Sequence, residues 1–157
     1  MDARNLDKSA TAEQPEHVQR LIIQLKDFYA GFSSSTIALA ENIYTQDVEF
    51  RDPVHTLHGV LALKGYFKRM AVSLQHYQIH YLDELVGDNA AYLTWEMEFC
   101  HKKFNGGKPV RVRGMSQIKF APKIYFHEDS YDLGALLYEH VPVLGGLIRG
   151  LKRKLAR

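Results

Sequence analysis

A chain of 157 residues that is 46% hydrophobic is long enough for one domain with its own core, since a chain of this size buries roughly 68–70% of the surface it exposes when unfolded. With 20 lysines and arginines against 18 aspartates and glutamates, the charge balance argues against a nucleic-acid binder, and no apolar run approaches the ~20 residues of a membrane span. A single cysteine, Cys100, excludes an internal disulfide framework and a cysteine-only metal cage, and it agrees with a reducing, cytoplasmic setting.

Residues 1–16 are polar and rich in small side chains, which reads as a disordered lead ahead of a domain at 17–133. From Val18 the apolar positions Leu21, Ile22, Leu25, Phe28, Tyr29 and Phe32 fall on one helical face, with Pro15 where helices begin and Gly31 where this one ends. Ser33, Ser34 and Ser35 offer caps for a second helix striped by Ile37, Ala40, Ile43 and Tyr44. Next comes Val48 to Gly59, a short apolar run and then a corner at Asp52-Pro53. The proline ring holds Asp52 extended and presents its carboxylate from a fixed place. After Gly59, the residues Leu63, Tyr66, Phe67, Met70 and Leu74 mark a third amphipathic helix.

Beyond Tyr77 the period changes from helix to strand. Ala91, Leu93, Trp95, Met97 and Phe99 alternate with polar neighbours, as do Val110, Val112, Gly114, Ser116, Ile118 and Phe120. Gly87-Asp88-Asn89, Asn105-Gly106-Gly107 and Ala121-Pro122-Lys123 punctuate these runs, so four successive strands should form an antiparallel meander covered by the helices, an α+β arrangement. A basic extension, residues 134–157, is helical in composition. It sets leucines opposite Arg149, Lys152, Arg153, Lys154 and Arg157, a pattern that caps the domain or a dimer partner, or lies on an anionic membrane surface. Those five basic residues follow Pro142, where there is no acid, so the body before it is mildly acidic.

Two helices, the run Tyr44-Thr45-Gln46-Asp47-Val48-Glu49-Phe50-Arg51-Asp52-Pro53-Val54-His55, a Gly-led helix and a long-stranded meander together resemble the nuclear transport factor 2-like (NTF2-like) superfamily, especially its SnoaL-like branch. The resemblance covers roughly residues 18–133. It implies a cone, with a curved antiparallel sheet wrapped on three N-terminal helices and a pocket at its open end, plus the C-terminal helical segment. Compared with ketosteroid isomerase, a member of the superfamily, Asp52 falls on the general base. The catalytic tyrosine and protonated aspartate fall on Phe28 and Ser116, so the oxyanion hole is missing and steroid isomerisation is not expected. SnoaL-like cyclases keep a His and an Asp near the end of the last long strand, and His127 and Asp129 match them.

The resemblance therefore implies Asp52, His127 and Asp129 as acid/base groups and Phe28, Tyr44, His55, Phe67, Trp95, Met97, Ser116 and Tyr131 as the pocket wall. Each carries a plainer reading. Asp52 in an Asx-turn would simply hold its corner, His127 with Asp129 would simply tie down a strand end, and the aromatic residues would be ordinary core. Strand parity leaves two orientations open, with Tyr125, His127, Asp129 and Tyr131 inside or Ile124 and Phe126 inside, and the family register favours the first. His55 and His58 lack an obvious third ligand, so no metal and no cofactor are expected. Two functions follow: a pocket for a small hydrophobic molecule with acid/base chemistry, or a non-catalytic homodimeric module with peripheral membrane contact.

Overall fold

The computed structural model describes residues 15–101, 105–134, 153 and 154. The expected lead falls outside these residues except for its last two, and so does most of the basic extension, Arg149 and Lys152 included. Arg153 and Lys154 are helical and exposed.

Helix α1, Glu16–Ala30, starts at Pro15 and buries Val18, Leu21, Ile22, Leu25, Phe28 and Tyr29, the face its spacing predicts. The expected second helix is shorter than its stripe. A 3-10 turn, Ile37–Leu39, runs into α2, Ala40–Ile43, and Tyr44 already opens strand β1, Tyr44–Arg51. From there the aromatic and β-branched residues alternate inward as Val48 and Phe50, a period that suits a strand. Strand β2, Thr56–His58, returns antiparallel along β1, and Gly59 turns the chain at φ 86°, a left-handed value only glycine adopts freely, into α3, Val60–Ser73.

The meander follows as β3, Leu74–Val86, β4, Ala90–His101, β5, Val110–Phe120, and β6, Ile124–Tyr131, each pair antiparallel. The whole sheet has the order β2-β1-β6-β5-β4-β3, and β1 lies parallel to β6. The antiparallel sheet expected from the sequence is therefore mixed. The first strand and the last, distant in sequence, run side by side in the same direction, which no local turn signal announces. The three helices cover one face of it.

Two irregularities bend β3 against β4, at Gln75/Gln78 and Tyr81/Asp83, and such bulges increase local twist and curvature. A third sits in β6. Ile118 pairs with His127 and Lys119 with Phe126, but Phe120 pairs with Ile124, so Tyr125 is the extra residue. It resolves the parity question. Ile124 and His127 both point inward and are fully buried, whereas Tyr125 is exposed and Phe126 stacks outside against Arg51 and Lys119. On the sheet's outer face Arg111 pairs with Glu96 and Glu98 of its own chain.

The core divides in two. A large cluster joins α1, α2, α3, β1 and the near ends of β4 to β6, and a smaller one comprises Trp95, Phe99, Val110 and Val112. Between them the cone is left unfilled.

Candidate functional site

The unfilled region is a cavity of about 190 Å³, more than ten times the ~15 Å³ that one water needs. Its walls are mostly apolar and aromatic: Leu25 and Tyr29 from α1, Phe50 from β1, Tyr66, Phe67 and Met70 from α3, Tyr77, Ile79 and Tyr81 from β3, and Trp95, Met97 and Phe99 from β4. Polar groups are few. They are Asp52, His101, Ser116, His127, Asp129 and the hydroxyls of the lining tyrosines, Tyr131 among them. An apolar hollow with a small number of converging polar groups is the usual form of a small-molecule site.

Asp52 is fixed by its own turn. Its Oδ1 accepts the Val54 and His55 backbone N–H groups, both at 2.7 Å, so the Asx-turn is present. The His55 ring lies 3.1 Å from Oδ1, and Tyr66 donates its hydroxyl to Oδ2 at 2.9 Å. The side chain is only 2% exposed, although His55 beside it is 40% exposed. Burial first, then the Asp52 charge and its hydrogen bond, drives the Tyr66 phenol well above its ordinary range, so Tyr66 stays a donor.

The other carboxylate stands at the end of a hydrogen-bonded chain crossing the core. Tyr29 and Tyr44 are joined through their hydroxyls at 3.0 Å, and the Tyr44 hydroxyl lies 2.8 Å from His127 Nδ1. His127 Nε2 is 2.9 Å from Asp129 Oδ1. From the opposite side Trp95 Nε1 donates to Ser116 Oγ at 2.9 Å, and Ser116 donates to the same Asp129 Oδ1 at 2.5 Å. Burial pushes both phenols up, with the Asp129 charge adding to it, so Tyr29 and Tyr44 keep their protons. The Tyr44 hydroxyl and His127 Nδ1 share one hydrogen bond, and His127 Nε2 and the Ser116 hydroxyl both donate to Asp129 Oδ1.

Trp95 lies along the sheet because its partner across the β4–β5 ladder is Gly114. A Cβ at Gly114 would stand 2.5 Å from the indole Cζ2 and 2.9 Å from the Ser130 carbonyl oxygen. The glycine thus makes the space in which the indole N–H reaches Ser116.

Of the residues expected at the site, Asp52, Phe67, Trp95, Met97, Ser116, His127, Asp129 and Tyr131 line one cavity. Phe28, Tyr44 and His55 do not. Phe28 turns into the ring cluster of Tyr29, Phe32 and Phe67, Tyr44 stacks behind His127, and His55 sits against Tyr66 on the outer side of the Asp52 turn. The residues of α1 that reach the cavity are Leu25 and Tyr29, the latter one position on from Phe28. Tyr66 was read only as part of a helical stripe, and Tyr77 and Tyr81 were not expected in the pocket wall. For Tyr77 and Tyr81 the signal was their alternation with Ile79 along β3. No cluster of metal-ligating side chains occurs among the described residues, nor is any helix among them long and apolar enough to cross a membrane.

A family model for the SnoaL-like domain matches residues 25–123. No curated protein matches the chain. Among solved structures, a protein from Jannaschia sp. CCS1, assigned provisionally as a SnoaL-like polyketide cyclase, superposes with a TM-score of 0.68 over 80% of this chain and 94% of its own, at 9% identity. A protein from Catenulispora acidiphila with a ketosteroid isomerase-like fold, solved in complex with trimethylamine, gives 0.65 over 79% of this chain and 91% of its own, at 15% identity. A nuclear transport factor 2-like protein from Anabaena variabilis gives 0.61 over 74% and 90%, again at 15% identity. At such identities the likeness is one of fold.

Proposed function

The chain belongs to the SnoaL-like domain family, and from that premise we propose that it binds a small, largely apolar molecule in its cone and moves a proton on it, with Asp52 and Asp129 as the groups that face the ligand. The observation carrying this reading is the pair of carboxylates held in place in one mostly apolar cavity. Both carboxylates line the cavity within reach of a bound ligand, which is the geometric condition for a general base. Asp52 offers Oδ2, which accepts only side-chain donors. His127 positions Asp129. The fold is shared with a protein assigned provisionally as a SnoaL-like polyketide cyclase, which supports a small-molecule reading of the cavity.

The test is exchange of the α-hydrogens of 4-phenyl-2-butanone in deuterium oxide, followed by proton NMR. The wild-type chain is expected to accelerate exchange, and Asp52→Asn or Asp129→Asn to slow it at least tenfold. Equal exchange in wild type and both variants would end the catalytic half of the proposal.

A second reading, binding without turnover, is favoured by His127 itself. It is 1% exposed and both its ring nitrogens are engaged within the protein, which leaves neither for a substrate. Native mass spectrometry of freshly purified protein tests binding directly: a carried small molecule is expected, lost on denaturation. The same spectrum reads the homodimer expected from the sequence, which would use the outer sheet face around Arg111 and Glu98.

A further inference from the structure

We infer that the ligand of this cavity is a cation, a protonated amine carried on an apolar, preferably aromatic scaffold. The inference rests on the small-molecule reading above and narrows it to a charge class. Among the described lining residues there are two carboxylates, Asp52 and Asp129, and no lysine or arginine. The imidazole in contact with Asp129, His127, is buried and engages both ring nitrogens within the protein, so it offers no hydrogen bond to a ligand. An anionic ligand would enter against two like charges.

A neutral ligand fares better but leaves one charge unmatched. Asp129 Oδ1 takes the hydrogen bonds from both Ser116 and His127, whereas Oδ2 has no partner among the described residues. The side chain is 17% exposed and lines the cavity, so a ligand that drives out water strips Oδ2 of solvent. An ammonium group supplies both the hydrogen bond and the opposite charge. Around it stand the faces and edges of Tyr66, Tyr77, Tyr81, Trp95 and Tyr131, the ring types that attract cations. These phenols are pushed up, by burial above all, and the Asp129 charge adds to the effect at Tyr66, Tyr77, Tyr81 and Tyr131. The tyrosine rings therefore remain neutral.

The test compares three probes of matched length and different charge, 4-phenylbutylamine, 4-phenyl-1-butanol and 4-phenylbutyrate, titrated at pH 8 against the emission of Trp95, the chain's only tryptophan and part of the cavity wall. The amine is expected to bind about tenfold more tightly than the alcohol, and the acid most weakly. Asp129→Asn is expected to weaken the amine about tenfold while leaving the alcohol within twofold, which also shows that the variant is folded. Should that variant fail to fold, the wild-type order alone decides. Equal affinity for amine and alcohol, or tightest binding of the acid, overturns the charge assignment and leaves the apolar pocket standing. Failure of all three to bind overturns the pocket reading and this inference with it.

Discussion

Asp52 and Asp129 face the same cavity and are held there by different means. Three of the four donors on Asp52 come from the two residues Val54 and His55, and only Tyr66 reaches in from another element. Asp129 is held by side chains alone. Ser116 of β5 and His127 of β6 touch it, backed by Trp95 of β4, Tyr44 of β1 and Tyr29 of α1. The first carboxylate is placed as soon as its turn forms. The second is placed only when most of the fold has assembled. A local device resists distant damage and contributes little to stability, whereas a network drawn from five elements couples the site to the whole molecule.

Alkaline pH is expected to strike the second region hardest. Burial raises the Tyr29 and Tyr44 phenols above the ordinary tyrosine value of 10.0, so the folded chain holds their protons after the unfolded chain has released them. The resulting contribution is fully present below pH 10 and is lost as pH rises beyond it. Linkage sets the slope at no more than about 1.4 kcal/mol per pH unit for each phenol that the folded chain keeps protonated. Urea unfolding at several pH values, with tyrosinate absorbance followed alongside, reads both the slope and the coincidence of ionisation with unfolding.

Removing the centre of the network comes next. His127→Leu leaves the buried Tyr44 hydroxyl and the Asp129 carboxylate each short of a partner and is expected to cost about 3 kcal/mol in chemical denaturation. Gly114→Ala forces the indole off the sheet and is expected to cost about 2 kcal/mol, with a red shift of Trp95 emission as its N–H leaves Ser116. Asp52→Asn keeps a carbonyl oxygen for the two backbone N–H groups and is expected to cost only about 1 kcal/mol. Were Asp52→Asn as damaging as His127→Leu, the contrast between a local and a distributed hold would be wrong.

The same contrast explains what could be read before the fold was known. Helices α1 and α3, strands β4 and β5 and the Asp52 corner depend on neighbours in sequence, through periodicity, a proline and an Asx-turn, and they stand where the spacing put them. The parallel pairing of β1 with β6 has no such signal, because its two strands lie some eighty residues apart and meet only through the closed sheet. Tyr44 was drawn into the helical stripe for the same reason: its role is set by His127, 83 positions later. His127 and Asp129 were visible as chemistry in the sequence. Their orientation was not, since strict alternation forces a choice between Ile124 and His127 that the extra residue removes.

That extra residue makes β6 two half-strands spliced out of phase. The first half, anchored by Ile124, belongs to the foundation; the second, carrying His127, Asp129 and Tyr131, belongs to the chamber. Because the splice separates the two duties, residues after it can face the cavity without taking Ile124 out of the core. For protein engineers, the stretch after Tyr125 is accordingly the place to write new chemistry into this scaffold.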